Sequence, residues 1–600
     1  MLRWLKAFDS DFTKVVLVIL AGIAAYAHTL DIPFYLDDIA SIVDNPAIVE
    51  SSNIRAIWDF SPLRFIGYYS FALNFAVHGS DVLGYHIVNI SIHLLTSVVI
   101  YLIVSRFLQL QNVGKVPNQS ELAIAKYVPF VVALFFVLHP LNTQAVSYVV
   151  QRLASMSALF YLCTLYFYLS ARMSSRLSNQ LVLYALTILL MIFACLTKQN
   201  AFTLPLAIIL MEACFFAKTG SEAKRLLIYI SSLFLLALGL LTVILWIGVV
   251  DVGDIDRSLR ETDTITRKDY LTAQILVVWK YIGLFFWPHP LNLDYDNNAI
   301  ATTFSVATVL GLLGHISLIG FSILRLRKLP LVAFGVLFYY LTLSVESSVI
   351  PIRDLMFEHR TYLPNFGLLL AVIYLLFSLK VFSCRFRMIV ILSVTIILGT
   401  LSWQRNDLWR HPVAFYDAAI KNSPGQSRNW VALSQVYFKY NEDEKALSLL
   451  RKELRQNQIE NDGVIDEPLY VLAFWSQLLR ANGLNEKANR VERTYGINKD
   501  NKTRQRMLLE RGNNELLKSR YMEAAKFYQE ILVLNPNHEN AQINLGVVAM
   551  MEGRLDEAEL IFLRFPNNSV SRSNLPLILD LRRGDTTIGS MKRKVFEKTQ

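Results

Sequence analysis

Long apolar runs fill this chain between residues 13 and 402, and they restrict its fold more than any other feature. A hydrocarbon core about 30 Å thick is crossed by about 20 helical residues at 1.5 Å each. Segments of that character lie at 13–28, 86–107, 127–139, 153–171, 181–197, 201–217, 226–250, 304–324, 330–346, 364–382 and 387–402. Apolar residues make up 54% of the 600, more than a soluble fold could hide. The pattern predicts an all-α, polytopic membrane protein of about eleven transmembrane helices over residues 1–402. One more apolar stretch, 270–287, carries Trp279, Phe285, Phe286 and Trp287 and is read as lying along the interface.

Lysine and arginine in short loops orient such a chain, because basic loops stay in the cytoplasm. Basic clusters fall at Arg3/Lys6/Lys14, Arg106/Lys115/Lys126, Arg172/Arg176, Lys218/Lys224/Arg225, Arg325/Arg327/Lys328 and Lys380/Arg385/Arg387. With 270–287 along the interface, all six share the cytoplasmic side; were it to cross, the last two would move outside. The N-terminus is then expected in the cytoplasm. The loops 29–85, 251–303 and 347–363, the stretches 139–152 and 197–200 and the C-terminus all fall on the opposite face. The first segment lacks a small-residue cleavage site and is expected to stay as a span rather than a signal peptide. The net charge of +10 follows from this sidedness, so no nucleic-acid partner is expected. Cys163, Cys195, Cys214 and Cys384 lie in or beside spans without metal or disulfide spacing.

Past Trp403 the hydropathy falls and a repeat appears. Gly512, Tyr521, Ala524 and Phe527 recur 34 residues later as Gly546, Leu555, Ala558 and Ile561, with Pro536 between. That period belongs to the tetratricopeptide helix–turn–helix repeat, whose units stack into a concave solenoid. Weaker units run through Trp430, Leu433, Tyr437 and Ala446 after Pro424, and around Leu478 to Ala488. A repeat domain at 403–585 is expected to bind an extended acceptor protein or peptide, with a rigid spacer or dimerisation element as the bland alternative. Residues 586–600, with Lys592, Arg593 and Lys594, read as a basic tail.

Polar side chains at membrane depth are costly to keep there and mark function or helix packing. Asp37 and Asp38 open the first outer loop; adjacent carboxylates repel, which suits one to act as a base. A helix cap is the alternative. His86, Asn89 and His93 share one face of the second span and are read as pocket residues or packing groups. His139 and Arg152 bracket a short segment after the third span, and Lys198 ends the fifth. Arg152 and Lys198 could hold a phosphate or reach for lipid headgroups. Asp294 and Tyr295 sit in a proline-rich turn behind the interfacial helix, and Glu358, His359 and Arg360 open the tenth span shortly after Arg353. Arg353 and Arg360 are candidates to neutralise a leaving phosphate, with Glu358 positioning one of them. A carboxylate that activates a hydroxyl and cations that hold a departing phosphate are what sugar transfer from a membrane-held donor requires. No nucleotide-binding glycine loop is visible, and no metal is assigned, although a divalent ion beside the Asp pair is conceivable.

The order of Phe34 to Asp38, Ser70 to Asn74, Gly84 to Asn89 with His93, His139-Pro140, Pro288 to Tyr295 and Glu358 to Pro364, followed by the repeats, resembles the transmembrane and tetratricopeptide-repeat protein O-mannosyltransferases of the GT-C superfamily. The resemblance implies a GT-C-like domain, an undecaprenyl- or dolichyl-phosphate sugar donor and a protein Ser/Thr hydroxyl as acceptor. By analogy Asp37 or Asp38 is the base of a mannosyltransferase-like hexosyl transfer. The chain departs from the family in reading Arg64-Phe65-Ile66 where an Arg-Pro-Leu element is usual, and in its shorter repeat array. These departures point to a microbial relative in a bacterial inner membrane, with the repeats in the periplasm. A lipid-linked sugar flippase, and a scaffold for secretion or pilus assembly, are the competing readings; transfer to a glycan or lipid acceptor is a variant of the first.

Overall fold

The computed structural model describes residues 10–49, 54–112, 119–217, 222, 265–296, 304–352, 354–379 and 381–440, and parts of 442–583. Span 226–250, Arg353, Leu478 and the basic tail lie outside the described residues. Regular structure among the described residues is helical, and the chain divides into two compact units, 1–433 and 434–600.

Among the described residues of the first unit seven helices are long and apolar enough to cross a membrane: Asp11–Thr29, Val82–Gln111, Val149–Met173, Leu177–Cys195, Val306–Leu324, Glu358–Ser378 and Arg385–Trp409. An eighth is obtained if Lys126–Leu138 and Pro140–Ser147, bent by 55°, form one span. Two further expected spans are short: Gln199–Phe215 is interrupted, and the α-helix Pro330–Leu343 has 14 residues. At 1.5 Å per residue such a helix rises about 21 Å, less than a bilayer core. The interfacial stretch is a 20-residue helix, Arg267–Phe286, capped by the Thr266 side chain on the Asp269 amide.

We label the helices that frame the site α1 (Asp11–Tyr26), α2 (Phe65–His78), α3 (Val82–Asn112), α4 (Gln119–Leu138), α5 (Arg152–Met173), α6 (Leu177–Cys195), α7 (Leu204–Phe215), α8 (Arg267–Phe286), α9 (Val306–Leu324), α10 (Pro330–Leu343), α11 (Tyr362–Ser378) and α12 (Cys384–Trp409). One apolar core joins α1, α3, α4, α5, α7, α10 and α11. Where α10 crosses α11, Gly335 and Gly367 face each other so closely that a Cβ on either would strike the other's carbonyl oxygen. Small residues permit this approach, which matters in lipid because apolar burial gives neighbouring helices little drive to associate.

Breaks in the helices shape the site. Pro140 pushes His139 out of helical geometry (φ −75°, ψ 122°) and ends α4. The chain then passes through short turns, buried except for half-buried Gln151, before α5 begins at Arg152. Lys198 is likewise extended (φ −157°, ψ 142°) between α6 and the turn Gln199–Thr203. Such interruptions expose backbone groups and are tolerated at membrane depth where protein covers them or a cavity opens.

In the second unit Tyr521–Leu534, Glu539–Met551, Leu555–Arg564 and Ser569–Arg583 pack each on the next. A Cβ on Gly512 would strike the Tyr528 ring, and one on Gly546 the Phe562 ring. Ala524 and Ala558 are both fully buried. The 34-residue offset seen in the sequence is thus also an offset between matching contacts.

Candidate active site

Helix ends from one side of the first unit enclose a cavity of about 260 Å³. Its lining includes Asp37, Arg64, Gln151, Lys198, Glu346, Asp354, His359 and Arg360, with Tyr68 and Phe357 supplying aromatic surface. Residues distant in sequence, from the first loop to the start of the Glu358–Ser378 helix, therefore share one compartment.

Asp37 and Asp38 are treated oppositely. Asp38 is fully buried; its two carboxylate oxygens accept from the amides of Tyr35 (2.9 Å) and Val150 (2.6 Å). Burial pushes its pKa up to about 8, against those two amides, and the neighbouring Asp37 charge adds to the rise. Asp37 is exposed, lines the cavity, and has its amide held by the Tyr148 hydroxyl at 2.9 Å. The turn before them places Leu36 at φ +33°, a left-handed conformation that costs about 1–3 kcal/mol in a non-glycine residue. Strain and buried hydrogen bonds together direct one carboxylate inward and the other into the cavity.

Cations stand along the same lining. Lys198 pairs with Glu346 at 2.8 Å, both largely buried. Burial presses the Lys198 ammonium below its usual range, and the Glu346 carboxylate opposes that shift. Arg360 donates to the carbonyls of Asp354 (2.9 Å) and Leu355 (3.3 Å). His359 meets the Gln144 side-chain oxygen through its amide (2.8 Å) and its ring (3.1 Å). Arg64, the first residue of the Arg64-Phe65-Ile66 element and not among the expected site residues, is a third cation in the lining; its Nε donates to Gln199 at 3.3 Å. Its place just ahead of α2 and its basic character were the available signals.

The other expected site residues lie outside the lining and bind backbone groups or other side chains. Arg152, fully buried, reaches Asn89 Oδ1 (2.6 Å), the Tyr85 carbonyl (3.1 Å) and the Ser70 carbonyl (3.2 Å), and tops the Phe71 ring. It joins α2, α3 and α5. Asn89 donates to the carbonyls of Val146 and Val149, His86 meets the Ile32 carbonyl, and His93 meets the Tyr362 hydroxyl and the Val137 carbonyl. His139 meets the Phe285 carbonyl at 3.0 Å. Glu358 accepts from the Asn292 amide and the Tyr295 hydroxyl, and Asp294 accepts from Arg428. Among the described residues no group of three or more His, Cys, Asp or Glu side chains is placed to hold a metal ion.

No family model matches the chain, and no solved structure does. Curated proteins do. A protein O-mannosyl-transferase of Caenorhabditis elegans is 24% identical over 464 residues, covering 72% of this chain and 61% of that protein. The protein O-mannosyl-transferase TMTC3 of Mus musculus is 27% identical over 213 residues, 33% of this chain and 21% of the mouse protein. The Tmtc3 protein of Drosophila melanogaster is 25% identical over 216 residues, with 32% and 23% covered. The match thus spans about three fifths of the nematode relative and about a fifth of the others. The resemblance drawn from the motifs and the similarity across most of the chain agree: this protein is a relative of the protein O-mannosyl-transferases.

Proposed function

We propose that this chain is a membrane glycosyltransferase that moves a single sugar, mannose by analogy with its relatives' names, from a polyprenyl-phosphate donor to a Ser or Thr hydroxyl of an exported protein. The observation that carries the reading is the cavity lining, where an exposed carboxylate, Asp37, shares one space with Arg64, Lys198 and Arg360. Asp37 takes the proton of the acceptor hydroxyl. That oxygen forms a bond to the anomeric carbon while the bond from this carbon to the phosphate oxygen breaks. The lipid phosphate departs with the electron pair, its charge held by the cations.

Asp38 acts in this scheme as the inner support of the turn rather than as the base. With an eleven-span topology the cavity opens on the non-cytoplasmic side. The second unit acts as a tetratricopeptide solenoid that binds the acceptor segment.

The test uses the full chain in lipid nanodiscs with dolichyl- or undecaprenyl-phosphate mannose and Ser/Thr-rich peptides, read by peptide mass. A hexose increment is expected with the wild-type chain and its loss with Asp37→Asn. An increment that persists in that variant ends the assignment of Asp37. No increment with either donor and any acceptor ends the enzyme reading.

A further inference from the structure

Two more helices follow α12: α13 (Pro412–Asn422) and α14 (Ser427–Lys439). The hydropathy places both past the membrane domain, yet the segment from Trp409 to Arg428 packs onto both sides of the cavity. On one side the Tyr35 hydroxyl donates to the Trp409 carbonyl, and the rings of Trp409, Phe415 and Tyr416 lie within 5.6 Å of the Tyr35 ring. Tyr35 is the residue whose amide holds Asp38. On the other side the Ser423 hydroxyl accepts from Asn292 (2.7 Å), and Gln426 donates to the Tyr295 carbonyl. A Cβ at Gly425 would collide with the Asp296 carboxylate, so the approach is close.

Arg428 completes this bracket. Its Nε and Nη2 both donate to Asp294 Oδ2, at 2.8 and 2.6 Å, and Nη2 reaches Asp354 Oδ1 at 3.3 Å. Asp294 is fully buried, so its charge has no solvent to turn to. Asp354 lines the cavity, and its carbonyl accepts from Arg360 Nη2. One planar guanidinium therefore ties two separate loops together, a geometry a lysine would not reproduce.

We propose that Arg428 is a positioning residue: by bridging Asp294 and Asp354 it holds the segment that presents His359 and Arg360 to the cavity, so that α14, a helix beyond the membrane domain, sets affinity for the donor phosphate. The link to donor affinity rests on the glycosyltransferase reading; the mechanical link does not.

The experiment compares the full-length wild-type chain with Arg428→Gln, Asp354→Asn, the double variant and Asp37→Asn in nanodiscs. Kinetics with polyprenyl-phosphate mannose are paired with hydrogen exchange of peptides covering 290–296 and 354–360. Arg428→Gln is expected to raise donor KM on the order of tenfold while kcat changes less than about threefold. Asp354→Asn does the same, and the double variant is no worse than either alone. Exchange in 354–360 speeds up, while α5 and α11 stay protected. Unchanged exchange in 354–360 overturns the bracket whatever the turnover. Faster exchange with unchanged donor KM, or losses that simply add, overturns the link to the donor. Transfer that survives Asp37→Asn instead counts against the catalytic reading, and the exchange result still decides the bracket.

Discussion

Two polar regions lie within the helical unit, and their surroundings differ. Around Arg152, the side chains of His86, Asn89 and His93 meet backbone carbonyls, the Arg152 guanidinium or the Tyr362 hydroxyl, and all are buried. Around the cavity, Asp37 is exposed, and Lys198 and Arg360, though buried, line the open space and are steadied from behind. The first arrangement satisfies backbone groups left over where helices break; the second leaves charge available to a ligand. Polarity at membrane depth is therefore ambiguous by itself. The partner of the polar atom separates packing from chemistry.

The contrast is broken most directly by exchanging failures. Asp37→Asn is expected to lower transfer by about 10²–10⁴-fold, the usual contribution of a positioned base, with unchanged yield of monodisperse protein. Arg152→Met should do the reverse. It strands Asn89 Oδ1 in a dry interior, removes a second donor from the helical Tyr85 and Ser70 carbonyls and costs about 1–3 kcal/mol. Its signature is loss of folded protein in size-exclusion profiles after detergent extraction, with near-normal turnover per surviving molecule. An Arg152→Met chain that folds normally and fails to turn over would move this residue into the active region.

The Lys198–Glu346 pair sharpens the comparison, because it lines the cavity and is largely buried. Either Lys198→Met or Glu346→Gln leaves a largely buried charge without its partner, costing about 3–5 kcal/mol. The double variant removes both charges and should recover much of that stability in thermal melts. If the ammonium also contacts the leaving phosphate, transfer stays depressed in the double variant. Recovery of stability and transfer together would reduce the pair to a structural one.

Much of this architecture was legible in the residues. Seven of the eleven expected spans stand as single long helices, because length and apolarity are local properties. The short helix Pro330–Leu343 and the bend at Pro140 were less legible, since burial by neighbours lets an interrupted segment persist. Gly512 and Gly546 were visible as a period, and the aromatic rings they admit explain why glycine recurs. The candidate site was legible only as a set of charges. His86, Asn89 and His93 do share a helix face, as their spacing requires, but which partner they meet depends on turns 50 or more residues away. Arg64 went unnoticed because its neighbours are contributed by residues near 198 and 360, a proximity no local pattern encodes.

The smallest effect concerns the twin of the proposed base. Asp38 is held neutral over an unusual range, its pKa raised from 3.8 to about 8 in the folded chain by burial. A folded value above the unfolded one means the folded state binds the proton more tightly. The resulting stabilisation is complete below about pH 4, shrinks as pH rises and is gone above about pH 8. Thermal unfolding should therefore shift downward between pH 5 and 8, with transfer measured at fixed temperature changing little over the lower part of that window. Asp38→Asn removes the titration and flattens this dependence. Its side chain has one acceptor oxygen and cannot accept from both the Tyr35 and Val150 amides, so it also lowers stability by about 1–2 kcal/mol at the acidic end. A variant that instead abolishes transfer at every pH while melting like the parent would transfer the role of base from Asp37 to Asp38.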